Sequence, residues 1–193
     1  NDGGYIEYDV LDGQQRLTTL FLLTAVIRDL TDNKQRQDTC HNSIFQQGNA
    51  DDNIPERLRI FFDIRKEVSD FIDKYIKQKD GTTNQKIKEL SKSKKADKSI
   101  FNMANAILNI QQYFQEKIAQ DAKFLDEFFY FLRNKVLLIY VSSQDLDDAF
   151  RMFTVLNNRG VKLRNADILK ADNLSAVNSP EKQKQYAEKW ESI

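Results

Sequence analysis

The stretch Tyr5-Ile6-Glu7-Tyr8-Asp9-Val10-Leu11-Asp12-Gly13-Gln14-Gln15-Arg16-Leu17 decides how the chain is read, because its side chains change period partway along. Tyr5 to Leu11 alternates as a strand does, whereas Leu17, Leu20, Phe21, Thr24, Ile27 and Leu30 recur at helical spacing. The polar residues Asp12 to Arg16 therefore fall at an expected strand-to-helix junction, where backbone N–H groups converge on an anion. Gly13 permits a tight turn or the close approach of a ligand, and Arg16 brings a fixed fork of donors suited to phosphate into the first helical turn. The plainer reading is a turn in which Asp12 caps the helix and Arg16 makes a surface ion pair. Residue physics alone favours that reading, since short motifs recur by chance.

Working outward, 193 residues can bury a substantial core, and one domain is the natural expectation. The chain opens without Met and its first strand starts almost at once, which is the pattern of a fragment. With only two prolines and six glycines, long helices are expected through most of it. Thr31-Asp32-Asn33 ends the first helix, and the amide-rich residues 32–53 read as a surface loop. Pro55 suits the first turn of a helix carrying Leu58, Phe61, Phe62, Val68, Phe71, Ile72 and Tyr75 on one face. Residues 74–98 hold nine lysines against three acidic residues, and without aromatic residues beyond Tyr75 they read as a solvated, partly mobile loop rather than a DNA-contacting patch. Helical spacing resumes over Ile100 to Ile118 and again, in a shorter aromatic helix, over Phe124 to Leu132.

Lys135 to Ser142, with Val136-Leu137-Leu138-Ile139-Tyr140-Val141 at its centre, is the strongest buried-strand pattern and is expected to pair with Tyr5 to Leu11. The acidic run at Asp145, Asp147 and Asp148 favours a helix N-terminus, and that helix runs to Asn157-Asn158-Arg159-Gly160, where Gly160 suits a left-handed end. Asn165 is placed to cap the next helix, and Ser179-Pro180-Glu181 starts the last. The expected fold is α+β, mostly α: a small sheet remnant covered by a helical bundle. It is organised as 1–16 (strand and phosphate turn), 17–134 (helical region) and 135–193 (a strand plus the helices around Asn157 to Gly160).

Two blocks carry a resemblance. Val10 to Leu20, containing Asp12-Gly13-Gln14-Gln15-Arg16, resembles the DGQQR signature of the GmrSD-type restriction endonuclease family, and Ala149 to Phe153, Leu156 to Gly160, Leu163 and Ala166 to Ala171 are similar to its other recurring segment. Members of that family are bacterial defence proteins that cut foreign DNA bearing modified bases. They pair a nucleotide-handling domain related in fold to ParB and sulfiredoxin with a nuclease domain, usually of the HNH kind. The resemblance thus implies an NTP as cofactor, with Mg²⁺ beside it in one version of the site. It implies modified DNA and a nuclease domain or subunit as partners of the longer protein.

On this reading Gly13 and neighbouring N–H groups approach the phosphates, Arg16 neutralises their charge, and Gln14 or Gln15 orients a water or contacts base or ribose. Asp12 either holds Mg²⁺ or positions Arg16. Asn158 and Arg159 become candidates for the wall of the same pocket, close in space to Asp12 to Arg16, and Arg16 is expected to face a cleft. Departing from the family pattern, Arg164 stands where Ser or Thr is more usual. No GxxxxGK[ST] string is present, so the site is not of the Walker type.

Composition limits the alternatives. Basic and acidic residues balance at 29 each, so any DNA contact is local. The lone His41 beside the lone Cys40 cannot by itself build a zinc site, an HNH centre or a nucleophilic pair, and no metal site is expected. One cysteine suits a reducing compartment, no apolar run is long enough to span a membrane, and the cytoplasm is the default location. Two other functions stay open: a non-catalytic DNA- or protein-binding module in which DGQQR is structural, and a helical scaffold for a nuclease subunit.

Overall fold

In a computed structural model, the structure describes residues 7–62, 66–93, 95–145, 148, 149, 151, 152, 173, 182, 185, 186 and 189. The chain divides into two compact units, Asn1–Ile139 and Tyr140–Ile193. In the first, α1 spans Gln14–Leu30 and α2 spans Lys34–Ile44. A minimal antiparallel hairpin follows, with β1 at Phe45–Gln46 and β2 at Arg57–Leu58, in the register Phe45 to Leu58. Then come α3 (Lys66–Phe71), which widens into a π-helical turn at Ile72–Lys77, a 3₁₀ turn at Gly81–Thr83, and α4 (Gln85–Leu90). The long α5 (Lys98–Gln120) and α6 (Phe124–Asn134) complete the set.

The mostly helical α+β class therefore holds, but the sheet is not the expected one. Residues 7–11 are not a strand, and residues 136–142 run without regular pairing. Leu137 is 91% and Ile139 95% exposed, so the most apolar hexapeptide of the chain is uncovered in the described structure. β propensity describes fit to a half-buried pleated surface, and no pleated partner is present among the described residues to supply it.

The other departures have local causes. The expected loop over 32–53 contains α2, because the Asn33 side chain accepts the Arg36 N–H at 3.0 Å and starts a new helix. That helix buries only Cys40 and Ile44, four residues apart, so little apolar periodicity announces it. Pro55 does not begin a helix. The residue before a proline is pushed toward extended backbone, and Ile54 accordingly bridges Asn49 across a tight turn in which Asn53 takes φ 53°. Helix α3 starts at Lys66 instead, burying Val68, Phe71, Ile72 and Tyr75 as expected, while Phe61 stays exposed.

The core of this unit is formed by α1 (Phe21, Leu22, Ala25, Val26, Ile27), the α3 and π segment, Ile87 of α4 and the apolar face of α5 (Ile100, Met103, Ala104, Ile107, Phe114). Asp97 starts α5 by accepting the N–H groups of Ser99 at 2.7 Å and Ile100 at 3.4 Å. The aromatic face of α6 closes over Phe114 through Phe124 and Phe128, whose rings lie 6.2 and 5.1 Å from it. Gly81 is required where it stands, since a Cβ there would lie 2.4 Å from the Tyr75 carbonyl oxygen.

In the second unit, Asp145 caps the expected helix start. Its Oδ1 accepts the Asp148 N–H at 3.0 Å, its carbonyl accepts that of Ala149 at 3.0 Å, and Arg151 and Met152 continue the helix. The turn Asn157 to Gly160 and the cap at Asn165 lie outside the described residues, whereas Lys182, Gln185, Tyr186 and Lys189 of the expected final helix are helical.

Candidate functional site

Asp12 to Arg16 form a loop-to-helix turn rather than a strand-to-helix one. Gly13 is the residue before α1 and takes φ 86°, ψ 7°, the left-handed conformation that glycine adopts without steric cost. Its carbonyl accepts the Leu17 N–H at 2.9 Å, the first bond of the helix. The Asp12 carboxylate clasps this turn from both sides: Oδ1 accepts the Gly13 N–H at 2.6 Å and Oδ2 accepts Arg16 Nη2 at 3.0 Å. The guanidinium is thereby folded back over Gly13, with Nη2 3.4 Å from where a Cβ would stand. Gln14 ties the helix to the incoming segment by donating from Nε2 to the Val10 carbonyl at 2.8 Å. Gln15 is exposed.

No side chain caps the first turn of α1, and no acidic residue lies within it. The N–H groups of Gln14, Gln15 and Arg16 are thus left at the positive end of a 17-residue helix beside an arginine. This is the chemistry of an anion-binding turn. The expectation that Arg16 faces a cleft is corrected: its side chain is 71% exposed. Asn158 and Arg159, the candidate pocket wall, lie outside the described residues.

The residues that sequence reasoning missed are Arg28 and Asp29, fully buried near the other end of α1. Arg28 donates from Nε and Nη2 to the two Asp29 oxygens at 2.6 and 3.1 Å, and from Nη1 to the carbonyls of Ile76 and Lys77 at 2.8 and 3.2 Å. Its Nη2 also reaches the Gln78 carbonyl. Asp29 in turn accepts the N–H groups of Asp80 and Thr82, each at 3.0 Å, and the Thr82 hydroxyl at 2.7 Å. The pair satisfies carbonyls that the π turn leaves behind and fixes the segment after it. An Arg-Asp dipeptide in the last turns of a helix ordinarily reads as a solvated pair. Nothing in the local sequence marks this one as buried.

Cys40 is buried, and burial pushes its thiol up to about 11, which makes it inert as a nucleophile at neutral pH. His41 is held below its ordinary range, first by burial and then by the nearby charges of Arg28 and Lys79. Its ring packs against Phe45 at 5.8 Å and its buried Nδ1 has no hydrogen-bond partner. Among the described residues no group of three His, Cys, Asp or Glu side chains could hold a metal ion.

The frame is a mostly helical α+β one that presents an arginine-bearing, glycine-initiated helix N-terminus. The chain matches the family described as GmrSD restriction endonuclease, N-terminal domain, over residues 2–174, and it belongs to that family. It is therefore part of a restriction protein. No curated protein and no solved structure matches it. Among the described residues, no helix is long and apolar enough to cross a membrane.

Proposed function

We propose that this chain is the nucleotide-binding, NTP-hydrolysing sensor part of a cytoplasmic bacterial restriction protein directed at modified DNA. The observation that carries the reading is the first turn of α1, where uncapped N–H groups, a left-handed Gly13 and the Arg16 guanidinium converge. Oriented backbone donors and a guanidinium are what a polyphosphate requires. Arg16 neutralises the phosphate charge. Gln15, free of the tie that engages Gln14, is the better placed amide to orient water or contact base or ribose. Asp12 positions Arg16 through the 3.0 Å bond, and Mg²⁺ binding there would release that guanidinium toward the ligand. An HNH-type nuclease domain or subunit supplies cleavage.

The test is nucleotide binding and hydrolysis by wild type and Arg16→Ala, with each NTP and Mg²⁺. Loss of a charge-assisted contact of about 1.5–3 kcal/mol predicts roughly a 10- to 100-fold fall in affinity or rate. Hydrolysis that survives the substitution unchanged would remove the central claim.

A second reading, a non-catalytic DNA- or protein-binding module in which DGQQR organises a turn, is favoured by the closed Asp12 clasp, which already occupies both donors. Steeply salt-dependent DNA binding that is indifferent to NTP supports it over the first.

A further inference from the structure

The chain's net charge of zero hides a separation of charge. Residues 74–98 carry nine lysines against three acidic residues, while the rest of the chain has 20 basic and 26 acidic residues. The structure gives most of this segment defined turns and helices where a loop was expected. Arg28 and Asp29 bind its backbone at residues 76–78, 80 and 82, and Gln111 of α5 donates to the Thr82 carbonyl at 2.9 Å. Further along, Asn84 caps α4, Ile87 is buried, and Asn105 holds the Ser91 carbonyl at 3.2 Å.

Along this segment Lys88, Lys92, Lys95 and Lys98 are all exposed to solvent. None of the four forms an ion pair among the described residues, in contrast to Lys77 with Glu56, Lys79 with Asp38 and Lys86 with Glu89. Four unneutralised ammonium groups within eleven residues repel one another, a cost that a polyanion relieves. The one aromatic residue of the segment, Tyr75, is buried, so nothing here stacks on bases or anchors an apolar partner. Lysines without interleaved aromatics contact phosphate as point charges and carry no sequence information.

We infer that the lysine ridge Lys88, Lys92, Lys95 and Lys98 is a binding surface for the phosphate backbone of duplex DNA, contacting it without regard to base sequence. The remainder of the chain carries a net negative charge, which disfavours DNA contact elsewhere. The inference stands independently of the nucleotide reading.

The test measures anisotropy of a labelled 30-base-pair duplex titrated with the 193-residue chain over a series of KCl concentrations. The compared proteins are wild type, K88Q/K92Q/K95Q/K98Q, the charge-preserving K88R/K92R/K95R/K98R and the control K34Q/K66Q/K123Q/K135Q. The control removes four exposed lysines outside the segment. The ridge Gln variant is expected to lose at least tenfold in affinity, equally for duplexes of unrelated sequence. Its slope of log K against log salt should become shallower by about 2 to 4, at about 0.9 per lost phosphate contact. The Arg variant should bind within about threefold of wild type and the control within about twofold. Absence of wild-type binding, equal losses in ridge and control variants, or loss in the Arg variant as large as in the Gln variant would each overturn the inference. So would a ridge that binds a polyglutamate peptide as tightly as DNA, which would mark an acidic protein as the partner.

Discussion

Arg28 shows how one side chain can hold elements far apart in sequence. Its guanidinium is paired with Asp29, and both are saturated by backbone groups between residues 76 and 82. Removing one partner of a buried pair leaves the other charged, desolvated and unpaired, at a cost of about 3–5 kcal/mol. Arg28→Ala should therefore lower the urea midpoint far more than Arg16→Ala, whose partner is exposed and whose pair contributes about 1 kcal/mol or less. Equal midpoints for the two variants would contradict the described network.

The same neighbourhood sets a pH window. His41 favours its neutral form in the folded state, so its contribution is present above its ordinary range near 6.5 and is lost as pH falls below it. Cys40 is protonated in the fold up to about 11 against an ordinary value of 9.0, so its contribution is complete below pH 9 and is lost as pH rises from 9 toward 11. Stability measured by urea denaturation should form a plateau between these limits. Replacing His41 with Gln should flatten the acid side, and replacing Cys40 with Ala should flatten the alkaline side. A wild-type acid limb that is unaltered in the His41 variant would assign the loss to other groups.

Among the elements, Val136 to Val141 is the segment whose propensity and environment disagree most. Six uncharged, strongly apolar residues stand exposed outside any helix or strand, a combination that favours strand addition and aggregation. The double substitution Leu137→Lys and Ile139→Lys is expected to reduce concentration-dependent light scattering on heating while leaving the thermal midpoint within about 2 °C, since both side chains contact mainly solvent. A drop of many degrees would show that they are packed.

What sequence could reveal divides along the same line. Helices α1 and α5 were legible because each buries residues at helical spacing, Ile100, Met103, Ala104, Ile107 and Phe114 most clearly, and α6 because Phe124, Phe128 and Leu132 lean on the core at the same spacing. The start of α1 after the polar turn was legible from the helical spacing that begins at Leu17, although the strand expected before the turn is not formed. Helix α2 was not, because its start rests on one capping amide and its burial on two residues. The hairpin at residues 45–58 was hidden behind a proline that suited a helix equally well. The buried Arg28–Asp29 pair depends on carbonyls some fifty residues away, and no local pattern encodes it.

For the whole chain, the question is which parts of a restriction protein it contains. Cleaving a phosphodiester demands an activated nucleophile and neutralisation of charge on the transferring phosphate, supplied by clustered carboxylates with metal ions or by a histidine with a metal. The chain has one histidine and one cysteine. His41 is packed on Phe45 and biased toward neutrality, and Cys40 is buried in its protonated form. Several acidic side chains of the first unit are engaged elsewhere. Asp12 holds Arg16, Asp29 holds Arg28, Asp97 caps α5, and Asp38, Glu56 and Glu89 pair with lysines.

The 193-residue chain by itself should therefore leave DNA intact, modified or not, with Mg²⁺ and each NTP present. Cleavage should require a covalently joined or added nuclease partner. The measurement is loss of supercoiled plasmid over time for the chain alone and with that partner. Metal-dependent nicking by the purified chain, abolished by neutralising a set of its carboxylates, would show that an active centre is built from groups assigned here to caps and ion pairs.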